Sequence, residues 1–104
     1  MFAPGLLWAE TASSLREGVY RGVITAQAAR DAMNDVLAIP ILLVHSPDVY
    51  HRALALAEQL GWAKAYDALY LATAEHAHAE LLTLDSGLHQ AAGRLGIAAT
   101  LIAD

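Results

Sequence analysis

The chain has 104 residues, enough for the single domain expected over residues 1–104, and 57% of them are hydrophobic. Its net charge of −5 argues against broad electrostatic binding of nucleic acid, although a bound metal ion can reverse the field at one site. Charged residues interrupt every apolar run before the roughly 20 residues that a membrane span needs, and cysteine and a signal-peptide pattern are absent, so the expected location is the cytoplasm.

The remaining explanations for the apolar excess are a buried parallel sheet and a large subunit interface. In chain order, a first helix is predicted to begin near Pro4 and to end at Gly18. Thr25 is a suitable N-cap for a second helix, "AQAARDAMNDVLA". The run "IPILLVH" that follows is short and continuously apolar, which predicts a strand buried on both faces.

The second half of the chain repeats the alternation of helix and strand. Ser46 is the predicted N-cap of a third helix, which ends at Gly61, and a fourth helix carries Asp67 in its first turns. "ELLTL" predicts a strand with Asp85 at its carboxyl end, and "SGLHQAAGRLG" and "IAATLI" predict a short helix and a last strand. This alternation favours an α/β domain with a parallel sheet.

Three acidic residues are candidates for one site. Ligands bind outside the carboxyl ends of parallel strands, where Asp85 is expected; Asp67 begins the helix that feeds the same strand, and Glu10 lies on the early helix. Two carboxylates about 4 Å apart repel by roughly 4 kcal/mol at an effective dielectric near 20, so a cluster needs a shared proton or a cation. Oxygen ligands favour Mg²⁺ or Mn²⁺.

Each of these residues also has a simpler explanation. Glu10 is compatible with a solvent-facing position on a helix. Asp67 is favourable in a first helical turn because it faces the positive end of the helix dipole. Asp85, followed by Ser and Gly, is typical of a turn or an N-cap.

Three segments in this order resemble the successive motifs of PIN domains, in particular the VapC-type toxins: "PGLLWAETASSLREG", "YDALYLATAE" and "LLTLDSGLHQAAGRLGI". The resemblance covers nearly the whole chain. It implies a PIN-like parallel sheet flanked by helices and a ribonuclease that depends on Mg²⁺ or Mn²⁺. By the match, the catalytic residues and metal ligands are Glu10, Asp67 and Asp85, and Thr83 is a polar residue near the site.

The chain departs from the family at its beginning. Members start with a hydrophobic strand that ends in an aspartate, whereas Met1 falls where the family enters its second strand. The absent strand is central to the sheet, so its loss is expected to leave two unpaired strand edges facing an apolar gap. Three explanations stay open: a start assigned too late, a degenerate remnant, or two copies that fill each other's gap.

The resemblance implies a function in two forms. The first is an endoribonuclease of a toxin–antitoxin pair, neutralised by a small antitoxin and forming a homodimer or larger homo-oligomer, with activity impaired by the missing first aspartate. The residues that could guide the RNA substrate are Arg16, Arg21 and Lys64. The alternative is an oligomeric PIN-like interaction domain that no longer cuts.

Overall fold

The computed structural model describes residues 1–102, and helices alternate with strands throughout this part of the chain. The elements are β1 (Phe2–Pro4), α1 (Leu6–Tyr20), α2 (Ala26–Leu37), β2 (Leu42–Val44), α3 (Pro47–Leu60), α4 (Tyr66–Ala77), β3 (Leu81–Thr83), α5 (Ser86–Arg94) and β4 (Ala99–Leu101). The predicted alternation is confirmed, and each strand is only three residues long.

The strands form two separate parallel pairs, β1 with β2 and β3 with β4. Phe2 is aligned with Leu42 in the first pair, and Leu81 with Ala99 in the second. Parallel neighbours need a crossover connection, which α1 and α2 supply for the first pair and α5 for the second. The predicted α/β class with parallel strands is therefore confirmed.

A gap separates the two strand pairs. It holds a cavity of about 200 Å³, lined by residues of β1 and β3 and by Tyr70, Thr73 and Ala74 of α4. On β3, the N–H of Leu81 and the carbonyl of Thr83 bond towards the β4 side. Successive residues of a strand bond to opposite sides, so the backbone of Leu82, between Leu81 and Thr83, is directed to the gap. Among the described residues, β1 and β3 therefore each have an unpaired edge beside this largely apolar gap.

The core is centred on the contact between α3 and α4. Val49 and Leu56 of α3 and Leu71 of α4 are almost completely excluded from solvent. α4 packs on α3 and also contacts β1 and β3, so it is buried on more than one side. An apolar helix without a clear polar face is expected in such a position. These contacts on more than one side hold the start of α4 in a fixed place relative to both strand pairs.

The prediction that "IPILLVH" is buried on both faces is wrong. Leu42 is 65% exposed and Leu43 is 45% exposed. The reason is that β2 is an edge strand, bonded to β1 alone. A continuously apolar run is typical of a central strand, and here it instead leaves apolar surface open to solvent.

The prediction that the first helix ends at Gly18 is also wrong, because α1 continues to Tyr20. A Cβ at position 18 would lie 3.2 Å from the Ile24 side chain, which packs against the helix at this point. The glycine is therefore explained by a close contact. The chain turns at Gly22, whose φ of +74° favours glycine.

Pro4 lies in β1, and α1 begins only at Leu6, so the predicted helix start near Pro4 is not observed. The local signals at the start of α2 and at both ends of α3 are confirmed. The Thr25 side chain accepts a 3.0 Å hydrogen bond from the Ala28 N–H at the start of α2. Ser46 occupies the N-cap position of α3 without a side-chain cap bond, and Gly61 ends that helix in the left-handed conformation. Within the described range, no helix combines the length and apolarity required to cross a membrane.

Candidate functional site

One cavity of about 990 Å³ brings the three predicted acidic residues together, and we call it the carboxylate cavity. Glu10 reaches it from α1, Asp67 from the first turn of α4, and Asp85 from the residue just before α5. These elements are far apart in the chain, and they converge because α4 packs against both strand pairs. Most of the remaining wall is apolar, from α1, β3 and the α5 side.

The carboxylates of this cavity influence one another. Partial loss of contact with water raises the pKa of Asp67, and the negative charges of Asp85 and then Glu10 raise it further. Asp67 is therefore close enough to each of the other two carboxylates to be repelled by it. Even so, residues 1–102 contain no set of three His, Cys, Asp or Glu side chains gathered tightly enough to hold a metal ion as they stand.

Tyr70 is a member of the site that the sequence did not reveal. Its hydroxyl donates a short hydrogen bond to Glu10 Oε1 across 60 residues of sequence. Burial, this bond and the neighbouring negative charges of Glu10 and Asp67 raise the pKa of Tyr70 above its ordinary range, so the hydroxyl keeps its proton. Tyr70 lies three residues after Asp67 on α4, and this spacing, which puts both on one helix face, is the signal that could have identified it.

Asp85 combines the structural role expected of an N-cap with a position in the cavity. Its Oδ1 accepts hydrogen bonds from the N–H groups of Gly87 at 2.8 Å and Leu88 at 3.2 Å. Thr83 accepts a 3.0 Å bond from the Asp85 N–H. Because both cap bonds end on Oδ1, the cap fixes the orientation of the carboxylate without occupying Oδ2.

The predicted RNA-guiding residues differ in their distance from the carboxylates. Lys64 lines a second cavity of about 500 Å³, which we call the loop cavity, together with Glu10 and Asp67. Arg16 and Arg21 lie about 9 Å and about 16 Å along α1 from Glu10 by the helical rise. Arg16 stacks on the Tyr20 ring, and Arg21, just after the end of α1, forms a 2.5 Å ion pair with Glu17. Of the three, the structure brings only Lys64 to the carboxylates.

The carboxylates, the tyrosine and the lysine can act together on a substrate phosphate if a cation offsets their net negative charge.

Comparison with protein-family models gives a match to the PIN domain over residues 1–94. Comparison with curated proteins gives no match.

Proposed function

The chain belongs to the PIN domain family, and we propose that it is a metal-dependent endoribonuclease of the toxin–antitoxin type that acts in the cytoplasm. PIN domains are commonly nucleases, so the family supports hydrolysis of a nucleic-acid phosphodiester. The observation that carries the proposal is the carboxylate cavity, where Glu10, Asp67 and Asp85 come from three separate elements to line one space.

The donor chemistry of this cavity fits a divalent cation. Three carboxylates supply hard oxygen ligands, which suit Mg²⁺ or Mn²⁺ better than zinc. The mutual repulsion that raises the pKa of Asp67 is the unfavourable term that a cation would remove. When bound, the cation supplies an activated water and polarises the phosphoryl oxygen. The fit rests on chemistry, because the side chains do not form a closed set of ligands without the ion.

The chain's own residues would then have distinct roles. Glu10, Asp67 and Asp85 hold the cation, directly or through water. The Tyr70 hydroxyl fixes the orientation of Glu10, and the cap bonds at the start of α5 fix that of Asp85. Such outer hydrogen bonds hold ligands in the geometry that a metal needs.

The RNA substrate is attracted locally. A net charge of −5 repels phosphates at long range, so the bound cation and Lys64 supply the attraction at the site. Arg16 and Arg21 are candidates for phosphates farther along the strand. This division predicts an enzyme that acts on single-stranded RNA in the cavity without broad affinity for nucleic acid.

The surface supports a partner in addition to the substrate. Apolar side chains are exposed on β1 and β2, with Phe2 at 46% and Leu42 at 65%, and the strand edges next to the gap are open. Open edges and apolar patches are typical of surfaces that pair with another chain. We propose that this side forms a homodimer or larger homo-oligomer, and that a small antitoxin protein neutralises the nuclease.

A second candidate is an oligomeric interaction domain that does not cut. It is favoured by the lack of a tight three-residue ligand set within residues 1–102, together with the exposed apolar surface of β2. In this candidate the fold and the oligomer surface are retained. The charge of Asp67 then has no role in catalysis and only lowers the stability of the folded protein.

One assay separates the two candidates. Purified protein should cut single-stranded RNA with Mg²⁺ or Mn²⁺, lose activity with a chelator, and lose it again in Asp67→Asn. The matched control is Asp35→Asn, a change of the same chemistry at an exposed position on α2, which should leave cutting unchanged. If the wild type does not cut and Asp67→Asn alters only stability, the domain is not a nuclease.

A further inference from the structure

The loop that joins α3 to α4 forms an aromatic wall beside the carboxylates. Residues 61–64 of this loop and Tyr66, the first residue of α4, supply most of the lining of the loop cavity, and Glu10 and Asp67 supply the rest. Its volume of about 500 Å³ is within the range of small-molecule sites, about 300–1,000 Å³. The loop cavity and the carboxylate cavity share Glu10 and Asp67, so a group in one lies next to a group in the other.

Trp62 is held in this wall by the end of α3. Gly61 takes a φ of +72° that ends the helix, and the N–H of Trp62 then donates a 2.9 Å bond back to the Ala57 carbonyl. Trp62 is half-buried: it packs against the buried core and also lines the loop cavity. The helix-end bond and the contact with the core restrict Trp62 before any ligand arrives, which lowers the entropic cost of binding to it.

Tyr66 and Lys64 complete the wall with exposed side chains. Tyr66 is 58% exposed although it is a large aromatic residue, and it is the first residue of α4, directly before Asp67. Lys64 is the single lysine of the chain, and it lies in this cavity. The loop cavity thus has two aromatic rings and an ammonium group beside the carboxylates. In nucleic-acid-binding proteins, aromatic rings stack on bases and positive groups contact phosphates.

We propose that the loop cavity binds one nucleotide of the RNA next to the phosphodiester that is cut. The base lies against Trp62 and Tyr66, and Lys64 contacts its phosphate. Stacking on aromatic rings accepts every base but favours the larger ring system, so a purine is preferred at this position. The inference rests on the proposed function for its biological meaning, and the binding itself can be measured without cutting.

The experiment uses adenosine 5′-monophosphate, which contains no phosphodiester to cut. In the wild-type protein, the indole N–H NMR signal of Trp62, assigned with Trp8→Phe, should shift in a saturable way as the nucleotide is added. The dissociation constant for adenosine 5′-monophosphate should rise at least about fivefold in Tyr66→Ala and in Lys64→Gln. In the wild type, the dissociation constant for cytidine 5′-monophosphate should be larger than that for adenosine 5′-monophosphate. Tyr66→Phe keeps the ring and should bind as the wild type does, and Tyr20→Ala on α1 is a distant control.

The outcomes separate this inference from the nuclease itself. If the Trp62 signal shifts as the nucleotide is added but the protein cuts no RNA, the binding site is supported and the nuclease function is excluded. The opposite result is also possible to measure: the protein cuts RNA with metal, the Trp62 signal stays fixed, and the KM for RNA is unchanged in Tyr66→Ala and Lys64→Gln. That result overturns the nucleotide site and leaves the nuclease intact.

Discussion

Replacing Tyr70 by Phe removes a single oxygen from the site and tests how Glu10 is held. The lost contact is a hydrogen bond to a carboxylate, of a class worth about 1.5–3 kcal/mol. Both side chains are only half-buried, so water can replace part of it, and about 1–1.5 kcal/mol of unfolding free energy is expected to be lost. For a domain of this size that lowers Tm by roughly 4–12 °C.

The effect on cation binding should exceed the effect on stability. Removing an outer hydrogen bond to a metal ligand typically weakens affinity by about 10–100-fold. Calorimetric titration of Mn²⁺ into wild type and Tyr70→Phe measures this directly, and thermal unfolding of the same samples gives the stability term. Tyr20→Phe, at a residue that is 80% exposed on α1, is the matched control and should change neither quantity.

Two results would refute this reasoning. If Tyr70→Phe loses stability while Mn²⁺ affinity stays the same, the tyrosine supports the fold and does not position Glu10. If neither quantity changes, the hydrogen bond makes no contribution in solution.

Three further predictions concern charge, capping and assembly. The raised pKa of Asp67 makes its charged form unfavourable in the folded protein, so the stability of the metal-free protein should fall as pH rises through that pKa. Asp67→Asn removes this charge and should unfold at a higher temperature than the wild type at pH 7. The difference in unfolding temperature should disappear in acid, where Asp67 is protonated. Asp85→Ala should lose about 1 kcal/mol in a denaturant titration because the cap is removed, whereas Asp85→Asn keeps the cap and should lose only Mn²⁺ affinity. The double change Leu42→Thr and Leu43→Thr should lower the mass measured by light scattering, since it makes the exposed β2 polar; an unchanged mass would place the oligomer surface elsewhere.

The sequence was informative where a signal is local. Thr25 and Gly61 each end or begin a helix through contacts within a few residues, so pattern alone locates these helix boundaries. Gly18 carries the same kind of signal and is misleading, because its reason is a tertiary contact with Ile24. The exposure of β2 is likewise set by the absence, among the described residues, of a second neighbouring strand. Pro40 in "IPILLVH" is compatible with an edge position, whereas the apolar run favours a buried strand.

The candidate site shows the same division between local and long-range information. The motif order singled out Glu10, Asp67 and Asp85 as candidates, and the crossovers of an α/β fold explain why residues so far apart in sequence can line one cavity. The partner of Glu10 was missed, since the bond from Tyr70 joins residues 60 positions apart. The spacing of Tyr70 from Asp67 places both on one face of α4, but the pairing with Glu10 depends on how α1 and α4 are placed in space, which no local pattern indicates.

In the proposed enzyme, three carboxylates from separate elements hold one cation. Calorimetric titration of Mn²⁺ into the wild type and into Glu10→Gln, Asp67→Asn and Asp85→Asn measures whether they do. We expect one site per chain in the wild type and an affinity at least about tenfold lower in each variant. A wild type that does not bind, or a site that tolerates the loss of any one carboxylate, would contradict it.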